Sequence, residues 1–145
     1  MKFCRINLSQ TNYKLYSYAE ILHGDNLKTN IDNLLEIYTI YCRYKKFISV
    51  MPLFRSELLS SDKKVIAYYD HGNLIAFSLI QIYDSNHVES EQFAWNYHNP
   101  KLRLGIESLK HECAYFKLHN FKYLYLGEHA EYKSTLQGYE ILGAI

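Results

Sequence analysis

Glu89 and Glu91 stand two residues apart in the run His87–Tyr97, whose side chains alternate with the period of a strand. Both carboxylates are therefore expected on one face, followed there by Phe93, Trp95 and Tyr97, with Val88, Ser90, Gln92, Ala94 and Asn96 on the other. A carboxylate so placed can take the proton of an incoming ammonium, directly or through one water. The plainer reading is a pair of solvated charges near a strand end. His87 and His98 bracket the same run, and an unperturbed imidazole titrates near neutral pH. The seven histidines form neither H-x-x-x-H nor H-E-x-x-H, and His111 and Glu112 are adjacent rather than on one helix face, so no metal site is expected. Cys113 lies on the apolar stripe of a predicted helix, five residues past Ser108, and reads as a core thiol rather than a nucleophile.

The elements that must position these groups follow from periodicity. Residues 3–8 alternate as a first strand. From Thr29 the residues Ile31, Leu34, Leu35, Tyr38, Tyr41 and Cys42 trace the stripe of an amphipathic helix to about Phe47, with Thr29 and Asp32 as its capping box. Residues 48–63 read as a connection with room for one helical turn. Val65–Tyr69 and Leu74–Tyr83 form a hairpin about Gly72-Asn73, and 87–97 adds a third antiparallel strand. Asn99-Pro100 breaks that strand. Leu102, Ile106, Leu109, Cys113 and Phe116 then mark a helix near 104–119. A strand at 121–127, a short helical segment at 128–137 and a last strand at 139–144 close the chain. A strand–helix–strand unit after antiparallel hairpins implies a mixed central sheet with helices on both faces, an α/β (α+β) class.

The 145 residues are 48% hydrophobic and 21% charged, the balance of a globular chain, and are expected to form one domain over 1–145. Ten Lys and Arg stand against seven Asp and Glu over residues 1–73, and six against eight over 74–145. So even a balance disfavours DNA or a membrane surface as partner. Three widely spaced cysteines without a C-x-x-C pair read as reduced thiols, and no leader or run of 18 apolar residues occurs, so a cytoplasmic protein is expected.

The order of elements, with a break after the strand at 87–97 leading into a helix, resembles the GNAT-fold N-acetyltransferase superfamily over nearly the whole chain. Within it, Phe93-Ala94-Trp95-Asn96-Tyr97, the segment Leu102 through Glu112, Lys122-Tyr123-Leu124-Tyr125-Leu126-Gly127 and Tyr132-Lys133 look most like the C-terminal domain of arginyl- and leucyl-tRNA–protein transferases. The resemblance implies acyl transfer from acetyl-CoA or another acyl-CoA to a primary amine, on a small molecule or a peptide, in a cleft where strands 87–97 and 121–127 splay apart. Phe93 and Trp95 would flank the pantetheine arm there. Lys101, Arg103, Leu104, Gly105, Ile106, Glu107 and Ser108 would face the pyrophosphate. Glu89 or Glu91 would act as base, and Tyr132 or Ser134 would protonate the departing thiolate. The chain departs from the family's Gln/Arg-x-x-Gly-x-Gly/Ala loop: Leu102 stands at its first position and Glu107 at its last, and a carboxylate aimed at a diphosphate repels it. Two alternatives follow, an aminoacyl-tRNA-dependent protein transferase and a fold kept for binding alone. Because only seven residues follow Gly138, the closing hairpin is expected to stay incomplete, leaving Ile141, Leu142 and Ile145 on an edge that a homodimer would cover.

Overall fold

The computed structural model describes residues 2–46 and 51–144; Phe47 and Ile145 lie outside them. Seven strands form one sheet: β1 Lys2–Asn7, β2 Ala19–Leu22, β3 Lys63–Asp70, β4 Asn73–Ile82, β5 His87–Trp95, β6 Tyr123–Glu128 and β7 Tyr139–Ala144. Their order is β2-β3-β4-β5-β6-β1-β7. Only β5 and β6 are parallel; the other neighbours are antiparallel. The helices are α1 Gly24–Lys45, α2 Arg55–Leu58 and α3 Leu104–Leu118.

The period-2 pattern divides β2, β3, β4 and β5 between two cores. Toward α3 the sheet buries Cys4, Ile6, Ile66, Tyr68, Ile80, Val88, Leu124 and Leu126 against Leu109, Cys113 and Phe116. Toward α1 it buries Val65, Phe77, Leu79 and Ala94 against Ile31, Leu34 and Ile37. That second core holds no residue of β6, β1 or β7. Those strands show α1's side of the sheet a face built from Phe3, Arg5, Tyr123 and Tyr125, all partly exposed.

Three expectations change. The helix expected from Thr29 begins at Gly24, because Leu27 extends the apolar stripe by one turn; Thr29 is internal and its hydroxyl donates to the Asn26 carbonyl at 3.2 Å. The four-residue β2 has too little alternation to announce itself, and is held by pairing with β3 from Ala19↔Tyr68 to Leu22↔Val65. The segment at 128–137 holds a 3-10 turn, Glu131–Thr135, in place of a longer helix.

The strand expected on an open edge is paired on one side from within the chain. β1 lies between β6 and β7, with Phe3↔Glu128 to Asn7↔Tyr123 on one side and Lys2↔Ala144 to Ile6↔Tyr139 on the other. Ile141 and Leu142 thus belong to the outer strand, whose far side pairs with no strand among the described residues, and Ile141 is half exposed there. The junction is tight: the Asn7 amide donates to the Gly138 carbonyl at 2.8 Å, and Gly138, at φ +71°, leaves no room for a Cβ beside the Asn7 carbonyl.

Candidate active-site cleft

The parallel ladder between β5 and β6 holds three pairs, His87↔Tyr123, Val88↔Leu124 and Glu89↔Tyr125. Beyond Glu89 the strands diverge, β5 staying with β4 and β6 with β1. Into this fork opens a cleft of about 470 Å³. Ser90, Glu91, Gln92, Phe93, Trp95 and Tyr97 form one wall, and Leu126, Tyr132 and Lys133 the other. Gly105, Ile106 and Leu109 of α3 close it on one side of the sheet, and Tyr41 and Lys45 of α1 on the opposite side. The cleft therefore passes through the sheet. Tyr41 accordingly packs against both cores.

A β-bulge sets the phase of the β5 wall. Ile80 pairs with Ser90 and Leu79 with Gln92, so Glu91 is an extra residue and the alternation inverts across it. The single face expected for Glu89, Glu91, Phe93 and Trp95 is broken there. Phe93 and Trp95 join Val88 on the α3 side, while Glu89 falls on α1's side with its partner Gln81. Glu91 remains in the cleft wall, but its carboxylate is bound by the Lys63 ammonium at 2.9 Å. Glu89 sits at the crotch on the opposite face and accepts from the Tyr83 hydroxyl at 2.5 Å. That bond, with burial, pushes the Tyr83 phenol up to about 12.

At the mouth, aromatic rings stack. Tyr44 lies 3.7 Å from Tyr97, Trp95 lies 4.6 Å from Tyr97, and the Lys45 ammonium stands 5.8 Å from the Tyr41 ring. On the far wall Lys133 donates to the carbonyls of Leu126 at 2.9 Å and Glu128 at 3.0 Å, holding the end of β6 after it leaves β5. Tyr132 beside it is half exposed; burial, then the neighbouring Cys4 and Glu112, raise its phenol above the ordinary value, so it remains a proton donor.

The first turn of α3 meets the cleft at Gly105, which is exposed with open space where a Cβ would stand. Arg103 precedes the helix at φ +51° and, with Lys101, points into solvent. Glu107 does not face this turn's amides. Its carboxylate accepts from the Tyr16 hydroxyl and from Lys110 at 3.3 Å. Burial alone would raise its pKa, but the bonds from Tyr16 and Lys110 outweigh that and hold it below the usual carboxylate range. Leu104 and Ser108 are buried beneath the helix. Ser134 spends its hydroxyl on the Glu131 carbonyl at 2.6 Å, outside the cleft. Of the residues chosen from the sequence, the cleft thus gathers Glu91, Phe93, Trp95, Gly105, Ile106 and Tyr132.

Sequence reasoning missed Tyr41 and Lys45, whose i, i+4 spacing on α1 puts them on one face, and Lys133, present only as half of a Tyr-Lys pair. It also missed a buried polar cluster behind Ser90. Glu112 is fully buried, and its carboxyl accepts from the Ser78 hydroxyl at 2.8 Å, which lies 3.0 Å from the Tyr68 hydroxyl. The other Glu112 oxygen carries no hydrogen bond, and the buried Ser108 hydroxyl is likewise unpaired. Burial pushes the Glu112 carboxyl up to about 7 despite Ser78 and Ser90 nearby. His111 accepts the Tyr16 amide on Nδ1 at 3.0 Å, and burial pushes it down to about 4.

No protein-family model and no curated protein matches this sequence. Solved structures do. A C-terminal domain assigned to a lysylphosphatidylglycerol synthetase of Agrobacterium fabrum superposes with a TM-score of 0.69 at 10% identity, over 87% of this chain and 46% of that one. A GCN5-related N-acetyltransferase of Kribbella flavida gives 0.59 at 9% identity, over 96% and 53%. Saccharomyces cerevisiae N-myristoyltransferase with bound myristoyl-CoA gives 0.56 at 10% identity, over 87% and 41%. The chain spans about half the length of each. At such identities the likeness establishes the fold: a GNAT-like mixed sheet with helices on both faces.

Proposed function

We propose that the protein is an N-acyltransferase that moves an acyl group from an acyl-CoA, acetyl-CoA being the simplest, to a primary amine by direct attack. The observation that carries this reading is the fork beyond Glu89↔Tyr125, opening into a through-sheet cleft that ends at the first turn of α3. The residues there fit the donor. Gly105 presents uncovered backbone at a helix N-terminus, Arg103 and Lys101 supply exposed positive charge, and Glu107 is turned aside to Tyr16 and Lys110. Backbone groups released by the fork suit the amides of a pantetheine arm between Phe93 and Leu126.

A thioester is already activated, so the protein has to align two substrates and move one proton. Glu89, at the crotch and carrying a hydrogen bond rather than an ion pair, takes the proton from the attacking ammonium. Glu91 is engaged by Lys63. The neutral amine nitrogen bonds to the carbonyl carbon, the C–S bond breaks, the Tyr132 phenol gives its proton to the sulfur, and the nitrogen's second proton restores the phenol, leaving an amide and a thiol. Three free, buried cysteines suit a reducing compartment such as the cytoplasm. Among the described residues no helix is long and apolar enough to cross a membrane.

A second reading, transfer of an aminoacyl group from a tRNA, is favoured by the likeness to the Agrobacterium fabrum domain, whose name gives an aminoacylated lipid as product. The two separate by donor. CoA release from acetyl-CoA in the presence of a panel of amines supports the first. Release of an amino acid from charged tRNA to the same panel, without CoA binding, supports the second, and binding of neither donor leaves a fold kept for interaction.

A further inference from the structure

On α1's side of the sheet, across the fork from the α3 helix, lies a second cavity of about 660 Å³. Its walls are rings and aliphatic groups, chiefly Phe3, Tyr83, His87, Tyr125 and Leu142, around the carboxylate of Glu89. The two cavities share no residue, yet they touch alternate residues of the same strands: Ser90 and Leu126 line the cleft, Glu89 and Tyr125 the second cavity. The last β5–β6 pair, Glu89↔Tyr125, is the boundary between them. A molecule seated in the second cavity thus lies beside the crotch at Glu89, one residue along each strand from the cleft.

Among the described residues, one carboxylate of this cavity keeps free acceptor capacity. Asp84 also lines the cavity, but it is consumed by its own turn, accepting from the amides of Asn86 at 2.8 Å and His87 at 2.9 Å and from His87 Nδ1 at 2.7 Å. Arg5 is paired with Glu140 at 2.8 Å and lies 3.8 Å over the Tyr123 ring at the cavity's flank. Among the described residues, the side chain that hydrogen-bonds Glu89 is the neutral Tyr83 hydroxyl. A carboxylate with free acceptor capacity amid ring faces, on a sheet face that the second core leaves uncovered, matches a compact cation on an apolar body. Among the described residues the cavity's second carboxylate, Asp84, is already engaged by three donors of its own turn, which leaves a polyamine one carboxylate with free acceptor capacity, and no unpaired Lys or Arg lines the cavity for a phosphate.

We infer that this cavity is the acceptor site and that it selects a primary ammonium carried on an aromatic or comparably apolar body, an arylalkylamine rather than a polyamine or a phosphorylated amine. The inference rests on the transferase reading for the acceptor's fate, but not for its binding, so the two can fail separately.

The test is a titration of the full chain, without donor, using 2-phenylethylamine, spermidine and phenylacetate as probes, followed by calorimetry and by the aromatic NMR signals of Tyr83 and Tyr125. The amine of the aromatic probe is expected to bind at least tenfold more tightly than spermidine or phenylacetate. Glu89→Gln and Tyr125→Ala should each weaken it at least fivefold, and thermal melts of both variants establish that they are folded. Should one of them not fold, Tyr83→Phe and Phe3→Ala probe the same wall, the second expected to weaken binding at least threefold. Equal affinity for spermidine, or unchanged affinity in Glu89→Gln, overturns the inference. Binding of 2-phenylethylamine without acyl transfer to it from any acyl-CoA upholds the site and sinks the transferase reading. Transfer to amines with no preference for the aromatic body upholds the transferase reading and overturns the site.

Discussion

Replacing Glu112 by Gln should change the pH dependence of stability more than stability itself. The carboxyl is fully buried, and burial raises it from its ordinary 4.5 to about 7. Because the folded value lies above the unfolded one, the contribution of Glu112 is fully present below pH 4.5 and is lost as pH rises through about 7. At about 1.4 kcal/mol per unit, this shift corresponds to a loss on the order of 3 kcal/mol. His111, one residue away, works in the opposite sense. Burial lowers it from 6.5 to about 4, so its contribution is complete above pH 6.5 and is lost as pH falls through about 4. Between pH 4.5 and 6.5 the two slopes offset each other, and the unmodified protein should show a nearly flat profile there. Glu112→Gln retains an acceptor for Ser78 and removes one of the two slopes. The buried amide NH₂ adds a pH-independent cost of about 1–3 kcal/mol. Urea denaturation from pH 4 to 8.5 would show the variant gaining on the parent by roughly 3 kcal/mol between pH 4.5 and 7.5, a relative rise of about 6–12 °C in Tm. A stability difference that stays constant over that range refutes the buried-carboxyl argument.

His111→Gln should show the converse, a stability that declines steadily from pH 4.5 to 7.5 in the same denaturation series. Gly138→Ala brings a Cβ against the Asn7 carbonyl at positive φ, and should cost about 2–4 kcal/mol in a thermal melt by loosening β1 from β7. Tyr132→Phe should lower kcat roughly 100-fold with KM for the acyl donor changed less than threefold, and a matched loss in both parameters would remove the phenol from the proton path. Arg103→Ala should weaken acyl-CoA binding several-fold at low salt and less at high salt, whereas Glu107→Ala, which releases Tyr16 and Lys110, should register chiefly as a loss of about 1 kcal/mol in stability.

Elements with strong periodicity were legible in the sequence. The hairpin of β3 and β4, the third antiparallel strand and α3 stand close to their expected bounds, because a half-buried strand or helix advertises its buried face residue by residue. The crossover into a parallel β6 followed from element order alone. What could not be read were features set by tertiary pairing. The bulge at Glu91 inverts the face of β5 without any glycine or proline to mark it, and so separates Glu89 from Phe93 and Trp95. The placement of β1 between β6 and β7 is a contact across more than a hundred residues that no local pattern carries. Glu107 looked like an obstruction at α3 because its neighbour in space, Tyr16, lies on a segment with no recognisable period. Glu112 was passed over for a related reason, since a charged type on an apolar helix face is ordinarily solvated and here it points inward to Ser78.

The central claim, that the fork between β5 and β6 receives an acyl-CoA, is tested most directly by titrating the isotopically labelled protein with acetyl-CoA and mapping the backbone amide shifts. The account predicts saturable shifts concentrated at Ser90, Phe93, Gly105, Ile106, Leu126 and Tyr132, with the amides of the first turn of α3 moving most. Shifts absent at millimolar acetyl-CoA, or confined to residues remote from the fork, contradict it.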